Sequence, residues 1–234
     1  MTHSENITFP CGEETLAGTI DWNANRDKPV FMSLHGGGTA TRDRVAYLTK
    51  LIAESGYSCI RFDHSGNGES TGTVRQNSLK KRLAEALAAS RFMDQTLPLT
   101  VMGNSMGGAM AMELTRQLNI KNVILFCPAL YAVEAFEVPF DERFTEILRS
   151  ENSFFKTDTA LLENFSGNFL HVISEDDTVI PKGVTELYER HIMNAASRKF
   201  IRIPGSEHQL HPFLAGNEAI REPILKDIIR LMAL

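Results

Sequence analysis

Gly103-Asn104-Ser105-Met106-Gly107-Gly108 lies between a short apolar run, Leu99 to Met102, and a helical pattern that begins near Met106. Continuous apolarity over a few residues suits a strand buried on both faces. The hexapeptide matches G-x-S-x-G in the strand-turn-helix setting that gives this pattern its meaning. A serine thrust out of so sharp a turn adopts a strained backbone, at a cost of roughly 1 to 3 kcal/mol. Side chains two residues to either side would collide there, which accounts for Gly103 and Gly107. The turn also places the N–H of Met106 at a helix N-terminus, pointing to where a tetrahedral oxyanion would form. Ser105 is thus the candidate nucleophile.

On either side of this turn, apolar strand runs alternate with longer helical patterns, the signature of βαβ units and a mostly parallel sheet. Strands are expected at Asn6 to Pro10, Thr15 to Trp22, Val30 to Leu34, Ser58 to Phe62, Leu99 to Met102, Asn122 to Cys127, Asn168 to Ile173 and Lys199 to Ile203. Helices are expected at Arg42 to Glu54, Ser78 to Asp94, Met106 to Leu118, Lys182 to His191 and Asn217 to Met232, the last starting or kinking at Pro223. In the second of these, Leu79, Leu83, Ala86, Leu87 and Ser90 form the apolar face, and Lys80, Lys81 and Arg82 read as its solvated side. Residues 128–167 separate two strands by far more than an ordinary connection, so they read as an insertion with short helices of its own. The expectation is an α/β fold, a single domain over 1–234 with one insertion.

Functional groups in open α/β sheets gather at the carboxyl ends of strands, and three more suggestive sequences sit there. His35-Gly36-Gly37-Gly38 follows Val30 to Leu34, and its glycines let backbone N–H groups approach a substrate closely. Gly37 is the preferred oxyanion donor, with Gly38 second. A phosphate-cradling bend is the rival, but neither G-K-[ST] nor G-x-G-x-x-G is present. Ser174-Glu175-Asp176-Asp177-Thr178-Val179-Ile180-Pro181 follows Asn168 to Ile173 and offers a carboxylate that could orient an imidazole. Pro204-Gly205-Ser206-Glu207-His208 follows the last strand and offers the imidazole, with His211 in reserve; His3, His171 and His191 lack such a setting. The chain order Ser, Asp, His is one of the known orders for a catalytic triad. Ser105, Asp177 and His208 are therefore the candidate catalytic residues, with Gly37 and Met106 as oxyanion donors.

Composition narrows the class. The 234 residues carry a formal charge of -5, with 43% hydrophobic and 23% charged residues, as in ordinary globular proteins. No clustered basic excess suggests a nucleic-acid surface, and no segment approaches the roughly 20 apolar residues of a membrane helix. The polar, acidic start, Met1 to Pro10, lacks the features of a secretory signal, which leaves the cytoplasm as the expected compartment. Cys11, Cys59 and Cys127 have no metal-ligand spacing and read as reduced, buried thiols.

Together these motifs resemble the α/β-hydrolase superfamily over nearly the whole chain. Arg61-Phe62-Asp63-His64-Ser65-Gly66-Asn67-Gly68-Glu69-Ser70 adds to it, being similar to the F-D-x-x-G-x-G-x-S stretch common after the fourth strand in that family. Within it the chain resembles small bacterial esterases, feruloyl and cinnamoyl esterase-like members included, in which an insertion at the place of 128–167 forms a short cap. Asn104 stands where His is frequent, and Ser174 where Gly often opens the acid loop. The H-G-G-G bend is similar to that of hormone-sensitive-lipase-like esterases, whose long N-terminal cap is missing. The resemblance implies acyl transfer on a small-molecule ester of a small to medium apolar acyl or aryl group, with no metal or organic cofactor and no nucleic-acid or membrane partner; self-association stays open. Thioesterase, acyltransferase, amidase and carbon-carbon hydrolase chemistry share the same triad, and a non-catalytic binding protein could share the fold. A carboxylate nucleophile, as dehalogenases and epoxide hydrolases need, is absent from position 105.

Overall fold

The computed structural model describes residues 1–233. β1 (His3–Cys11) and β2 (Glu14–Trp22) form an antiparallel hairpin at one edge of an eight-stranded sheet. The remaining strands, β3 (Phe31–Leu34), β4 (Cys59–Phe62), β5 (Leu99–Asn104), β6 (Ile120–Phe126), β7 (Asn168–Ser174) and β8 (Ser197–Ile203), run parallel to one another in the sheet order β1-β2-β4-β3-β5-β6-β7-β8. β5, which delivers Ser105, is thus an interior strand paired with β3 and β6.

Each parallel strand divides its side chains between two cores, as a period of two demands. Met32, Leu34, Val101, Val123 and Leu125 point to one face, which is covered by α2 (Leu79–Ala89), α3 (Met106–Leu114) and α6 (Lys182–His191). Phe31, Met102, Ile124, Phe126 and Leu170 point to the other, which is covered by α1 (Ala46–Glu54), α7 (Leu210–Gly216) and α8 (Glu218–Met232). Burial on both sides is why β3 to β7 read as mostly apolar runs, whereas the edge strand β8 is only partly buried. Between β6 and β7, residues 128–167 contain α4 (Glu142–Arg149), α5 (Ala160–Glu163) and two 3-10 turns, as the length of that segment suggested. Among the described residues no helix is long and apolar enough to cross a membrane.

Several boundaries differ from expectation for physical reasons. α8 begins at Glu218, upstream of Pro223, because the Asn217 carbonyl accepts the N–H groups of Ile220 and Arg221 and closes the first turn before the proline is reached. α3 ends at Leu114 and its last residues relax into turns that lead directly to β6. α7, a seven-residue helix containing Pro212, was not anticipated.

A larger correction concerns α2. Lys80 is exposed, but Arg82 is completely buried, as is Glu85, while Leu83 and Leu87 are only half-buried. Arg82 lies three residues after Leu79 and four before Ala86, so it shares their inward stripe, and its charge misled the reading of the face. Ser78 caps the helix by accepting the Lys81 N–H at 3.1 Å. Of the cysteines, Cys59 and Cys127 are buried and Cys11 is half-buried, all three being free.

The F-D-x-x-G-x-G-x-S stretch is a loop wrapped around one buried carboxylate. Asp63 accepts the Arg42 N–H at 2.7 Å and the Glu69 N–H at 3.2 Å and pairs with the Arg42 guanidinium. Gly68, at φ +50°, passes so close that a Cβ there would fall 2.1 Å from Asp63 Oδ2.

Burial also fixes the charge state of the interior histidines. It pushes His64 down to about 4 and His171 and His211 to about 3, and holds His35 well below the usual imidazole range, with nearby cationic groups adding to the effect. In the unfolded chain they would titrate near 6.5. Below that value the unfolded state binds protons that the folded state refuses, so this stability is fully present above about pH 6.5 and falls toward the folded values. Urea denaturation should therefore show a loss on the order of 5 kcal/mol between about pH 7 and pH 5; an unchanged midpoint over that interval would contradict the burial of four neutral imidazoles.

Candidate active site

At the end of β5 the chain turns on Ser105, whose backbone stands at φ +53° and ψ -119°. This lies outside the regions open to ordinary L-residues, so neighbours must hold it. The Ser105 N–H donates to the Phe126 carbonyl at 3.0 Å, and the Ser105 carbonyl accepts from Gly108 at 2.8 Å and Ala129 at 3.0 Å. A Cβ on Gly103 would lie 2.3 Å from the Gly107 carbonyl oxygen, as the collision argument expects. Gly107 is required for another reason: a side chain there would meet the Leu34 carbonyl oxygen at 2.3 Å, at the end of β3. Met106 opens α3, and N–H groups of a first turn have no acceptor within the helix.

The acid arrives from the end of β7. Asp177 Oδ1 accepts the N–H groups of Val179 at 2.8 Å and Ile180 at 2.9 Å, and Oδ2 lies 2.8 Å from His208 Nδ1. Burial works against its charge, but the hydrogen bonds from His208 and the two backbone N–H groups prevail and hold the carboxyl below the usual carboxylate range. An ionised carboxylate only accepts, so His208 carries its proton on Nδ1 and leaves Nε2 as an acceptor. That Nε2 is 3.1 Å from Ser105 Oγ. The side chains of Asp177 and His208 are 8% and 14% exposed, shielded enough for the pair to be strong yet open at the serine.

Two backbone hydrogen bonds tie the acid loop to the histidine loop: Glu175 N–H to Ile203 at 3.2 Å and Asp176 N–H to Ser206 at 3.0 Å. Asp176 itself faces solvent. His211 is no competitor for His208: it is buried on α7, with Nδ1 3.0 Å from the Tyr47 hydroxyl and its ring 4.6 Å from that of Phe126.

The His35–Gly38 bend adjoins this relay. A Cβ on Gly36 would sit 3.3 Å from Ser105 Cβ, and one on Gly37 would sit 3.1 Å from Met106 Cε, so both proposed oxyanion donors border the elbow. The His64 N–H donates to His35 Nε2 at 3.0 Å, which puts the His35 proton on Nδ1, 2.7 Å from the Gly36 carbonyl oxygen.

Cys127, a buried free thiol as expected, also borders the acid loop. It directly follows β6 at φ +44°, with Sγ 3.2 Å from Ser174 Oγ. Cys127, Asp177 and His208 bring potential metal-ligand atoms within 4.8 Å of one another. Burial pushes the thiol up to about 11, so it is protonated at neutral pH and a poor ligand, and the other two are already bonded together.

Two cavities of about 540 Å³ flank these elements. One lies behind the acid loop and is lined by Cys127, Ser174 and Asp177 among others. The other lies between α3 and residues 128–167; Ala109, Met110, Leu130, Tyr131, Phe136 and Leu161 give it apolar walls. Ala109, the α3 residue of its lining closest to Met106 in sequence, is three positions on, or about 4.5 Å of helix rise.

The sequence profile of the family described as serine aminopeptidase, S33, matches residues 25–157. Lysophosphatidylserine lipase ABHD12 of Danio rerio is 26% identical over 254 residues, covering 95% of this chain and 65% of that protein. Phospholipase YtpA of Bacillus subtilis (strain 168) is 31% identical over 118 residues, 47% of this chain and 44% of that one. The chain therefore spans less than two thirds of the length of these curated relatives. Among solved structures, Est1E from Butyrivibrio proteoclasticus with bound ferulic acid superposes with a TM-score of 0.69 at 19% identity, covering 95% of this chain and 99% of that one. The fold is that of the α/β hydrolases, as the motifs implied.

The relay separates the two adjacent aspartates. Asp177→Asn should preserve packing but favour the wrong histidine tautomer, lowering kcat by roughly 10⁴, as in a well-studied triad. Asp176→Asn should stay within about tenfold of the parent, a difference of ~1.4 kcal/mol in barrier. Steady-state rates on a chromogenic ester decide it, and the reverse ranking would move the acid to Asp176.

Proposed function

Because the chain belongs to the serine aminopeptidase S33 family of hydrolases, we propose that it cleaves carboxylic esters of small to medium apolar acyl or aryl groups through an acyl-enzyme on Ser105. The chain is a serine hydrolase; the ester preference and the residue roles are the proposal. The observation that carries it is the continuous hydrogen-bond relay from Asp177 through His208 to Ser105 Oγ.

In the first half-reaction His208 Nε2 takes the hydroxyl proton as Ser105 Oγ attacks the ester carbonyl, and Asp177 stabilises the imidazolium. Negative charge develops on the former carbonyl oxygen, where the N–H groups of Gly37 and Met106 stabilise it. Collapse expels the alcohol with the proton from His208. Water, deprotonated by the same nitrogen, then attacks the acyl-enzyme, and its collapse releases the acid and restores Ser105.

Residues 128–167 act in this reading as a cap, and the cavity beneath them receives the apolar group. A volume of about 540 Å³ is within the usual range of small-molecule pockets. The names of the lipase and phospholipase relatives support an ester with an apolar chain. Of the seven aromatics in the segment, Tyr131 and Phe136 line the cavity, Phe144 and Phe165 are buried, and Phe155 is exposed.

Ser105→Ala should leave the fold intact and remove nearly all turnover of p-nitrophenyl esters, any residual rate coming from the oxyanion donors alone. Retention of most of the activity would refute the mechanism. A parallel panel of acyl thioesters tests the ester preference, with higher kcat/KM expected on the oxygen esters. Tyr131→Ala or Phe136→Ala should shift the acyl chain-length profile, whereas Phe144→Ala should chiefly lower stability, by about 3–5 kcal/mol for a buried aromatic. An unchanged profile in both cavity variants would deny the cavity its role.

A further inference from the structure

We infer that Arg82 is a positioning residue for the oxyanion hole: its guanidinium, buried beneath the His35–Gly38 bend, pins the Gly36 carbonyl and so aims the Gly37 N–H at the reacting centre. The inference rests on the reading of Ser105 as nucleophile and Gly37 as donor, and it assigns to α2 a part in the chemistry.

Arg82 Nη1 donates to the Gly36 carbonyl oxygen at 2.9 Å, and Nη2 donates to Asn67 Oδ1 at 3.0 Å. Asn67 in turn donates through Nδ2 to the Gly38 carbonyl at 2.7 Å. The bend is thus held at the carbonyls on either side of Gly37 by one arginine and the amide it touches. In a planar trans peptide the carbonyl of one residue and the N–H of the next point in opposite directions. With the Gly36 oxygen drawn down by Arg82 and by His35 Nδ1, the N–H of Gly37 must point up and away from the protein interior. Two donors on that oxygen also polarise the peptide, making its N–H a better donor to a developing oxyanion.

The surroundings argue against a merely structural ion pair. Arg82 is fully buried, yet the hydrogen bonds of its guanidinium go to the neutral oxygens of Gly36 and Asn67. Glu85, whose charge partly offsets that of Arg82, directs its oxygens to His64 Nδ1 at 2.7 Å and to Ser65. Arg82 Nε has no hydrogen-bond partner among the described residues. Burying a cation this way is costly, and an apolar side chain of similar volume could replace it if packing were its whole task. Burial, partly offset by Glu85, draws the guanidinium down to about 10, so it stays charged at neutral pH. Phe140 of the 128–167 segment packs over it, with the guanidinium carbon 5.4 Å from the ring centroid.

Arg82→Lys keeps the charge but loses the planar fork that reaches two acceptors. On a p-nitrophenyl ester it should lower kcat by about 100-fold, as misplacing or losing an oxyanion donor does, with KM within about threefold because substrate binding in the cavity is untouched. The Ki of a trifluoromethyl ketone, which adds to Ser105 and places an oxyanion in the hole, should rise by a matching factor. A structural role alone would lower the melting temperature without separating kcat and Ki from KM. The inference is overturned if folded Arg82→Lys keeps kcat/KM within about threefold of the parent, or if KM and Ki rise together while kcat holds. Should that variant not fold, the structure of the parent protein with the ketone adduct decides. Gly37 N–H donating to the adduct oxygen, with Arg82 still on the Gly36 carbonyl, supports the inference; an N–H turned away overturns it. If the ketone does not add to Ser105 in the parent, or Ser105→Ala keeps its activity, the underlying reading fails and the inference with it. Failure confined to Arg82 leaves both of those results intact.

Discussion

Ser105 is held at φ +53° and ψ -119°, a conformation that would relax at once in a free chain. The surrounding strands over-determine it. Phe126, the last residue of β6, accepts the Ser105 N–H, and Ala129, just beyond it, donates to the Ser105 carbonyl. β3 on the other side comes so close that only glycine fits at position 107, and the first turn of α3 crosses the end of β5 so tightly that only glycine fits at 103. A local strain of roughly 1 to 3 kcal/mol is thereby distributed over three strands and a helix. The placement of the serine is a property of the middle of the sheet, and loops at its periphery could not supply it.

The same convergence organises the charges. The loops after β7 and β8 are cross-linked by backbone hydrogen bonds, so the carboxylate and imidazole move as one unit against the elbow. The hydrogen bond from His208 and those from the backbone N–H groups of Ile180 and Val179 hold the Asp177 carboxyl below the usual carboxylate range, and its charge fixes the imidazole tautomer. On the opposite side of the serine, the His35–Gly38 bend rests on buried polar groups of α2 and of the loop after β4. In the proposed mechanism the nucleophile therefore stands between a negative support, on the side where the proton goes, and a positive one, on the side where the oxyanion forms. The separation of these fields is what a charge-developing acyl transfer requires.

The elements that could be read from the sequence were those governed by local rules. The interior strands were visible because burial on both faces makes them apolar runs, the edge strands β1 and β8 showing through shorter apolar stretches, and the four candidate loops were visible because sharp turns need glycine and strand ends collect polar residues. Asp177 could be separated from Asp176 by its spacing to Pro181, and the structure places it alone beside His208. What escaped depends on tertiary context. Arg82 looked like part of a solvated basic run, and only its phase with Leu79 and Ala86 hinted at burial. Cys127 sat in an apolar strand and looked inert, although it ends beside the acid loop. Gly107 was correctly required, but for the backbone of Leu34, which no local pattern reveals. α7 is short and carries a proline, so its seven residues had no periodicity to show.

Peptide mapping after reaction with a fluorophosphonate is the most direct measurement of whether this relay makes Ser105 a nucleophile. The expected result is a single adduct, on the peptide that contains Ser105, formed far more slowly in His208→Ala. An adduct on a different serine, or labelling of Ser105 at the parent rate without His208, would contradict the assignment of the relay as the catalytic centre.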